Sequence, residues 1–194
     1  MVYHTDRGSL LNSLQKFDVL QPYSKGMVVE FGLGDSTFYF LSKCEKLFSF
    51  ETSKAFCKKY KFLKDANPGK FEIHHFDIGP TKTWGRPILP EYLIRRKVID
   101  SIQTIQAKLR SVDFATLFID GRFRVASTLA LVASSHHSFT IVIDDYHDRV
   151  DYRILEDYLG LPEFLSLDFA KFHVDPTLSN YVSRRWKWQH LSQA

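Results

Sequence analysis

Acidic side chains recur at one kind of place in this sequence, at the end of a short apolar run or directly after it. Each run has the composition of a buried strand, and the acids at the ends of the runs are Glu51, Asp77, Asp120, Asp144 and Asp145. In a parallel sheet the carboxyl ends of neighbouring strands meet along one edge, where ligands bind. Carboxylates gathered there could bind sugar hydroxyls, accept a proton or hold a cation. The placement therefore predicts a functional site along one edge of a sheet.

A glycine-containing turn, residues 30–37 (Glu-Phe-Gly-Leu-Gly-Asp-Ser-Thr), follows the first apolar run. Its glycines, Gly32 and Gly34, allow a sharp turn and a close approach of the backbone to a ligand. The start of the next helix offers free N–H groups. Glu51 comes nineteen residues after Gly32, which places a carboxylate where the ribose diol of a nucleotide would lie. The pattern predicts a nucleotide-binding turn.

Two classes of nucleotide cofactor use a turn of this kind. A dinucleotide site has a third glycine where this chain has Thr37, and the carboxylate of Glu30 would repel the pyrophosphate of NAD. The same carboxylate could meet the amino group of a methionine moiety. The turn therefore favours S-adenosylmethionine, and an NAD-linked oxidoreductase is the disfavoured alternative.

Apolar runs alternate with amphipathic stretches along most of the chain. Strands are expected at 27–32, 46–51, 71–78, 115–119 and 139–143, helices at 38–43, 53–63, 125–134 and 149–159, and an antiparallel pair at 164–169 and 171–174. Strands separated by helices require crossover connections and hence a mostly parallel sheet. The pattern predicts a Rossmann-like α/β fold, a sheet between two layers of helices.

The bulk composition is that of one globular domain. The chain has 194 residues, of which 44% are hydrophobic and 25% charged, and its net charge of +4 favours anionic partners without choosing among them. Cys44 and Cys57 lack the spacing of a metal or redox motif, so free thiols in a reducing compartment are expected. With no apolar signal run and no membrane span, the expected location is the cytoplasm.

Three segments depart from the alternation within this single domain of residues 1–194. Residues 1–24 are expected to form an N-terminal helical extension, and residues 80–110 an insertion or lid, because this connection is unusually long. Trp84 in that insertion could stack on adenine or substrate, or pack on the core. Residues 177–194 are expected to form a basic, aromatic tail. Its stretch 184–188 (Arg-Arg-Trp-Lys-Trp) could stack on bases and meet phosphates, but five residues are little evidence, so nucleic acid is not the expected substrate.

Further motifs carry a resemblance to a known family: 77–80 (Asp-Ile-Gly-Pro), 84–85 (Trp-Gly) and 120–125 (Asp-Gly-Arg-Phe-Arg-Val). With the glycine turn, they make residues 25–175 resemble class I S-adenosylmethionine-dependent methyltransferases. The resemblance is strongest to small bacterial methyltransferase-like proteins of unassigned substrate. It implies a seven-stranded sheet whose last strand is antiparallel, which agrees with the antiparallel pair expected near the end of the chain.

The resemblance also implies which residues bind the cofactor, in addition to Glu30: Gly32, Gly34, Ser36, Glu51, Asp77 and Ile78. The glycines and the serine would surround the methionine end, the glutamate would hold the ribose hydroxyls, and the Asp-Ile pair would reach the adenine. Ser36 stands where the usual motif has a third glycine, which is a common variation.

Asp120, Asp144 and Asp145 are candidates for a metal site. Three carboxylates at neighbouring strand ends repel one another unless they are protonated or bridged by a cation, and oxygen ligands suit Mg²⁺ or Mn²⁺. The arrangement is similar to metal-dependent O-methyltransferases of the macrocin and catechol types, which implies that the three hold a metal that binds an acceptor hydroxyl. The alternative is that Asp120 contacts the cofactor or caps the next helix while the other two merely end a strand.

Other polar residues beside these aspartates could act on an acceptor. Asp120 or His147 could be the catalytic base, the alternative for His147 being a surface loop residue. Arg122, Arg124 and Arg149 could bind an anionic substrate, because a guanidinium group suits carboxylate or phosphate. Alternatively, one or two of these arginines neutralise the aspartates through internal salt bridges.

Two functions remain. One is an S-adenosylmethionine-dependent methyltransferase that acts on a hydroxyl of a small or carbohydrate-type acceptor, with or without a divalent metal. The other is a catalytically silent methyltransferase-like module that binds a nucleotide or a partner, which the lack of a clear base motivates.

Overall fold

Short apolar runs form the seven strands of one sheet in the computed structural model, which describes residues 15–82 and 86–187. In chain order the strands are β1 (Met27–Phe31), β2 (Lys46–Glu51), β3 (Phe71–His75), β4 (Thr116–Ile119), β5 (Phe139–Ile143), β6 (Glu163–Phe164) and β7 (Ala170–Val174). Their spatial order is β3-β2-β1-β4-β5-β7-β6. Strands β1 to β5 pair in parallel, whereas β7 is antiparallel to both of its neighbours. The predicted Rossmann-like, mostly parallel sheet with its last strand reversed is confirmed.

Helices cover both faces of this sheet. They are α1 (Asp35–Lys43), α2 (Lys54–Lys59), α3 (Lys61–Ala66), α4 (Glu91–Leu109), α5 (Arg124–Ser134), α6 (Glu156–Leu159) and α7 (Pro176–Arg185), with 3-10 helices at Asp18–Tyr23 and Val150–Leu155. Because successive strand residues point to opposite faces, Val29 of β1 packs in the core beneath α4 and α5, and Val28 packs in the core beneath α1. The sheet is thus the middle of three layers.

The register of the central strands brings their carboxyl ends to one level. Phe31, the last residue of β1, lies opposite Phe50 of β2 and Ile119 of β4. The residues that follow these positions, Glu51 among them, therefore emerge side by side at the same edge. This edge is where the sequence places its acids.

Two predicted helices differ from those in the structure. The helix expected at 53–63 is divided at Tyr60 into α2 and α3, although the Ser53 hydroxyl caps it as predicted by accepting a hydrogen bond from the Phe56 amide. The helix expected at 149–159 is mostly the 3-10 helix Val150–Leu155, followed by the single turn of α6.

Two predicted strands are shorter than expected. The third strand ends at His75 rather than 78, because Asp77 and Gly79 (φ +89°) turn the chain away from the sheet. The strand expected at 164–169 is only the two residues of β6. A turn replaces its second half, where the Ser166 hydroxyl accepts hydrogen bonds from the amides of Asp168 and Phe169.

The segments that depart from the alternation are only partly described. Residues 1–14, Trp84 and residues 188–194 lie outside the described ranges. Helix α4 occupies most of the predicted 80–110 insertion and packs as a core helix. The described residues before it, 80–82 and 86–90, are irregular, and Thr81 bridges to Pro87. No helix in the described ranges is long and apolar enough to cross a bilayer.

Candidate functional site

A cleft of about 1560 Å³ lies along the carboxyl edge of the sheet. Its walls come from the segments that follow all five parallel strands. We call the segments after β1, β2 and β3 the β1–β3 half, and those after β4 and β5 the β4–β5 half. The two halves meet in the middle, where β1 and β4 are neighbours.

At this junction two loops touch backbone to backbone. Gly32 has a φ of +97°, and a Cβ atom on it would lie 2.9 Å from the Asp120 carbonyl carbon and the Gly121 nitrogen. A Cβ atom on Gly121 would in turn lie 3.2 Å from the Gly32 nitrogen. Only glycine permits this approach, so the two residues hold the β4 loop against the glycine turn.

Glu30 lies beneath the glycine turn. Its side chain is fully buried, and its carboxylate accepts hydrogen bonds from the hydroxyls of Ser36 (2.6 Å), Thr37 (2.9 Å) and Ser49 (2.5 Å). Burial raises the pKa of Glu30 to about 7, against the opposing effect of the three hydroxyls. Neither Glu30 nor Ser36 lines the cleft. Both instead join β1 and β2 to the start of α1.

Glu51 lines the cleft directly at the end of β2. One carboxylate oxygen accepts a hydrogen bond from the Leu33 amide at 2.9 Å. The other accepts from the Ser53 amide at 2.6 Å and the Thr52 hydroxyl at 3.3 Å. This carboxylate is held by the glycine turn on one side and by the start of α2 on the other.

Asp77 lies at the far end of the same wall. Its carboxylate pairs with Lys97 of α4 at 2.9 Å and accepts a hydrogen bond from the Gly79 amide at 2.8 Å, and these contacts lower the pKa of Asp77. The side chain of Ile78 is fully buried in the core and does not line the cleft. Lys97 could not have been found from local spacing, since it lies twenty residues away on another element.

Arg124, at the start of α5, organises the β4–β5 half. Its guanidinium group pairs with the Asp120 carboxylate at 2.9 Å and lies 3.8 Å from that of Asp145. It also donates to the carbonyls of Gly121 and Asp144, and it lies over the Tyr152 ring at 5.4 Å. Since Arg124 is only 7% exposed, its role here is internal neutralisation of the aspartates.

The three aspartates predicted as metal ligands do not converge on one point. The Arg124 guanidinium lies between Asp120 and Asp145, and Asp144 points away from the cleft toward Lys16, 3.4 Å away. Among the described residues, no group of three or more histidine, cysteine, aspartate or glutamate side chains is arranged to hold a metal ion. The residues present therefore do not fit Mg²⁺ or Mn²⁺, because a bound cation would have to displace Arg124.

The pKa values of Asp120 and Asp144 are nevertheless raised. Burial raises the pKa of Asp120 despite the opposing charge of Arg124, and the neighbouring carboxylates of Asp144 and Asp145 raise it further. Burial also raises the pKa of Asp144, against the opposing effect of Lys16. Of the two, only Asp120 lines the cleft, so only its carboxylate can reach a ligand there.

His147 lies outside the cleft. It is exposed, and its ring packs edge-on against Phe164 of β6, with 5.9 Å between the ring centroids. The residue two positions before it, Asp145, lines the cleft because its φ of +58° turns the chain there. His147 therefore does not reach the site, although it lies only two residues from Asp145 in the sequence.

Basic side chains surround the aspartates on the cleft wall. Arg122 and Arg149, two of the arginines predicted to bind an anionic substrate, line it, and Arg149 lies 3.6 Å from the Asp145 carboxylate. Arg86, which the sequence did not indicate, lines the same cleft from the segment after β3. Burial and the neighbouring guanidinium groups of Arg86 and Arg124 lower the pKa of Arg122. The wall thus brings several arginines close together.

Comparison with known proteins identifies the fold. No protein-family model and no curated protein matches the chain. A methyltransferase-like protein from Silicibacter pomeroyi superposes with a TM-score of 0.68 at 23% identity, over 94% of this chain and 97% of that one. The chain has the class I methyltransferase fold. A candidate caffeoyl-CoA O-methyltransferase from Staphylococcus aureus superposes with a TM-score of 0.52 at 13% identity, over 90% of this chain and 86% of that one.

Within the class I methyltransferase fold, the cleft follows the rule for open α/β sheets. It lies at the carboxyl ends of the strands, at the point between β1 and β4 where the strand order reverses. Gly32, Gly34, Glu51 and Asp77, four of the residues predicted to bind a cofactor, line it together. The site residues from both halves of the chain therefore share one cavity.

Proposed function

We propose that this chain is an S-adenosylmethionine-dependent methyltransferase that methylates a hydroxyl of a small or carbohydrate-type acceptor. The observation that carries the proposal is the Glu51 carboxylate, which faces the cleft beside Gly32 and Gly34. A carboxylate offers about four acceptor positions. Its contacts with Leu33, Thr52 and Ser53 use three, so one position is open for a ribose hydroxyl.

The other cofactor contacts in this proposal come from the β1–β3 half. Gly32 and Gly34 receive the methionine end, because their backbone can approach it closely. Asp77, held by Lys97, lies on the adenine side. Glu30 and Ser36 act indirectly, since their mutual hydrogen bond beneath the turn sets the position of the glycines.

Asp120 is the base in the proposed reaction. Bound S-adenosylmethionine supplies a methyl group on a positively charged sulfur. As the acceptor oxygen bonds to that methyl carbon, the carbon–sulfur bond breaks, a neutral thioether leaves, and the hydroxyl proton passes to the Asp120 carboxylate. A raised pKa suits this role, because a base works best when its pKa is near the working pH. No metal takes part in this proposal.

The contact between Gly32 and Gly121 supports the placement of this base. Because the β4 loop touches the glycine turn, the acceptor beside Asp120 would lie next to the methyl donor. Alignment of reacting groups in one cavity accounts for a large part of catalysis in transfers of this type. His147 has no role here, since it lies outside the cleft.

One observation favours the second function, a catalytically silent module that binds a nucleotide. Of the two bases predicted from the sequence, Asp120 lines the described part of the cleft, and Arg124 already engages it in an ion pair. A carboxylate held in an ion pair is a weaker proton acceptor than a free one.

Isothermal titration with S-adenosylmethionine and S-adenosylhomocysteine tests the proposal. We expect both to bind, and Glu51→Gln to weaken binding about tenfold through loss of a charged hydrogen bond to ribose. Glu45→Gln is the matched control, because Glu45 is exposed beside the opposite end of the same strand. No binding of either ligand, or binding of NAD instead, would overturn the assignment.

Turnover separates the two candidate functions. The protein is incubated with S-adenosylmethionine and a panel of polyols, sugars and sugar phosphates, and S-adenosylhomocysteine is measured by chromatography. A methyltransferase forms it with at least one acceptor, and Asp120→Asn abolishes this while retaining cofactor affinity. Tight cofactor binding without turnover on any acceptor would favour the silent module.

A further inference from the structure

The walls of the cleft carry more positive than negative charge. Counted over the described residues, they hold eight lysine and arginine side chains against five carboxylates. Bound S-adenosylmethionine would increase the excess, because its sulfonium and ammonium groups outnumber its single carboxylate. Accumulated charge of one sign attracts a ligand of the opposite sign. The second ligand of the cleft is therefore expected to be an anion.

Three of the carboxylates already have cationic partners within the cleft. Asp77 pairs with Lys97 at 2.9 Å, and Arg124 pairs with Asp120 and lies near Asp145. Arg86 and Arg122 also line these walls, on the segments that follow β3 and β4.

The backbone around Arg122 is held in an unusual conformation. Phe123 has a φ of +59°, uncommon for a residue with a bulky side chain, yet its ring is buried in the core. On the other side, Gly121 is pinned against Gly32. Strain of this kind persists where the surrounding structure over-determines it, often at binding sites. Arg122, which lies between these two constrained residues, lines the cleft wall.

The guanidinium groups on this wall lie close enough to repel one another. The pKa of Arg122 is lowered by burial and by the charges of Arg86, Arg124 and Arg149. Of these, Arg124 and Arg149 contact aspartates, whereas Arg86 is exposed at the cleft surface. An anion placed between Arg86 and Arg122 would relieve the repulsion between them.

We propose that Arg86 and Arg122 form a subsite for an oxyanion, a phosphate or carboxylate group carried by the methyl acceptor. This inference rests on the proposed function, since it concerns the second substrate of the same cleft. Guanidinium groups bind such oxyanions through paired hydrogen bonds. The subsite holds the charged end of the acceptor while the acceptor hydroxyl lies at Asp120. Of the two roles that the sequence left open for the arginines, Arg124 has the second, because it pairs with Asp120 and lies near Asp145.

Anion titrations test the subsite directly. Inorganic pyrophosphate and, separately, malonate are titrated into the protein with and without an excess of S-adenosylhomocysteine. We expect Arg122→Gln and Arg86→Gln each to lower the affinity for one of these anions about tenfold, which is the effect of losing a charged hydrogen bond. Lys54→Gln removes the same charge from the other wall of the cleft and is expected to change the affinity less than about twofold. The anion that depends on the arginines identifies the group as phosphate or carboxylate.

The outcomes separate the subsite from the proposed function. Equal losses in Lys54→Gln and the arginine variants would overturn the subsite, because a general positive field would then explain the binding. Failure of both anions to bind would also overturn it, even if S-adenosylhomocysteine binds normally. If S-adenosylhomocysteine fails to bind while arginine-dependent anion binding persists, the proposed function is wrong and the subsite stands. Arg86→Gln changes an exposed loop residue, so this variant retains the fold.

Discussion

The two halves of the cleft are built from different kinds of contact. In the β1–β3 half, backbone amides and hydroxyl groups hold Glu51 and, beneath the cleft, Glu30: Leu33 and Ser53 donate to Glu51, and three hydroxyls donate to Glu30. Asp77, at the far end of this half, is the exception, because it also pairs with Lys97. In the β4–β5 half, charged side chains hold one another, with Arg124 at the centre. The first half depends on the course of the main chain, and the second on which side chains meet.

This difference corresponds to the two ligands that we propose. A cofactor common to a whole fold is suited to a site made of backbone groups, because these change little when side chains are substituted. An acceptor particular to one protein is suited to a site of side chains, which single substitutions can alter. Ion pairs at a surface are also weakened by salt, whereas amide contacts to a buried carboxylate are not.

Gly32→Ala should break the junction between the halves and have the largest effect. The new Cβ atom would lie 2.9 Å from backbone atoms of the β4 loop, in a residue with a φ of +97°. We expect a loss of roughly 4 kcal/mol or more in the free energy of unfolding, measured with urea, together with loss of cofactor binding.

Gly34→Ala is the matched control for that substitution. Gly34 has an extended backbone, and nothing lies within 4 Å of a Cβ atom placed on it. We expect it to cost less than about 1 kcal/mol, the usual difference between these residues at a helix N-cap. Equal destabilisation by both substitutions would show that the two loops are not in close contact.

The β1–β3 half could be predicted from the sequence because its geometry is local. The apolar runs define the strands, the glycines define the turn, and the acid ending the next strand falls beside that turn in any parallel sheet. Glu51 and Gly32 are therefore brought together by sequence spacing. Direct contact between Glu30 and the cofactor was also expected, but that contact depends on where the Glu30 side chain points. In the structure this side chain is buried and points away from the cleft.

The β4–β5 half could not be predicted in the same way. Asp144 and Asp145 are adjacent in sequence, yet one is buried against Lys16 and the other lines the cleft. Likewise, Arg122 and Arg124 are two residues apart, and the left-handed backbone of Phe123 separates their roles. Spacing does not reveal such backbone reversals in residues other than glycine.

Arg124→Gln should have the next largest effect, confined to the β4–β5 half. It leaves the carboxylates of Asp120 and Asp145 without their shared cation, and two carbonyls without a donor. We expect a loss of about 3 kcal/mol in the free energy of unfolding, because the partly buried Asp120 carboxylate loses its cationic partner while the two carbonyls lose their donor. Cofactor affinity should change little.

Arg149→Gln serves as the comparison for Arg124→Gln. Arg149 also lies near Asp145, but both side chains are 46% exposed. An exposed pair of this kind contributes at most about 0.5–1 kcal/mol. If both variants lower the free energy of unfolding equally, Arg124 does not organise the β4–β5 half.

Glu30 should make stability depend on pH in the β1–β3 half. Its pKa is raised from 4.5 to about 7, so the folded protein retains a proton that the unfolded chain has already released. Stability from this group is therefore greatest below about pH 4.5 and declines as the pH rises to about 7, by on the order of 3 kcal/mol. Glu30→Gln cannot titrate and should flatten this decline, measured by urea unfolding at several pH values. An unchanged slope would mean that Glu30 titrates normally.

Addition of Mg²⁺ should have the smallest effect, because Arg124 lies where a metal would bind between Asp120 and Asp145. A metal at a hundred times its dissociation constant would add about 2.7 kcal/mol to the stability, and so raise the melting temperature by roughly 5–10 °C. We expect millimolar Mg²⁺ or Mn²⁺ to shift the melting temperature of the S-adenosylhomocysteine complex by less than about 1 °C. Asp144→Asn should leave this response unchanged, since Asp144 faces Lys16 rather than the cleft. A shift of several degrees in the melting temperature, abolished by Asp120→Asn or Asp145→Asn, would instead mean that Arg124 moves aside for a metal. Both halves of the cleft would then be preformed ligand sites.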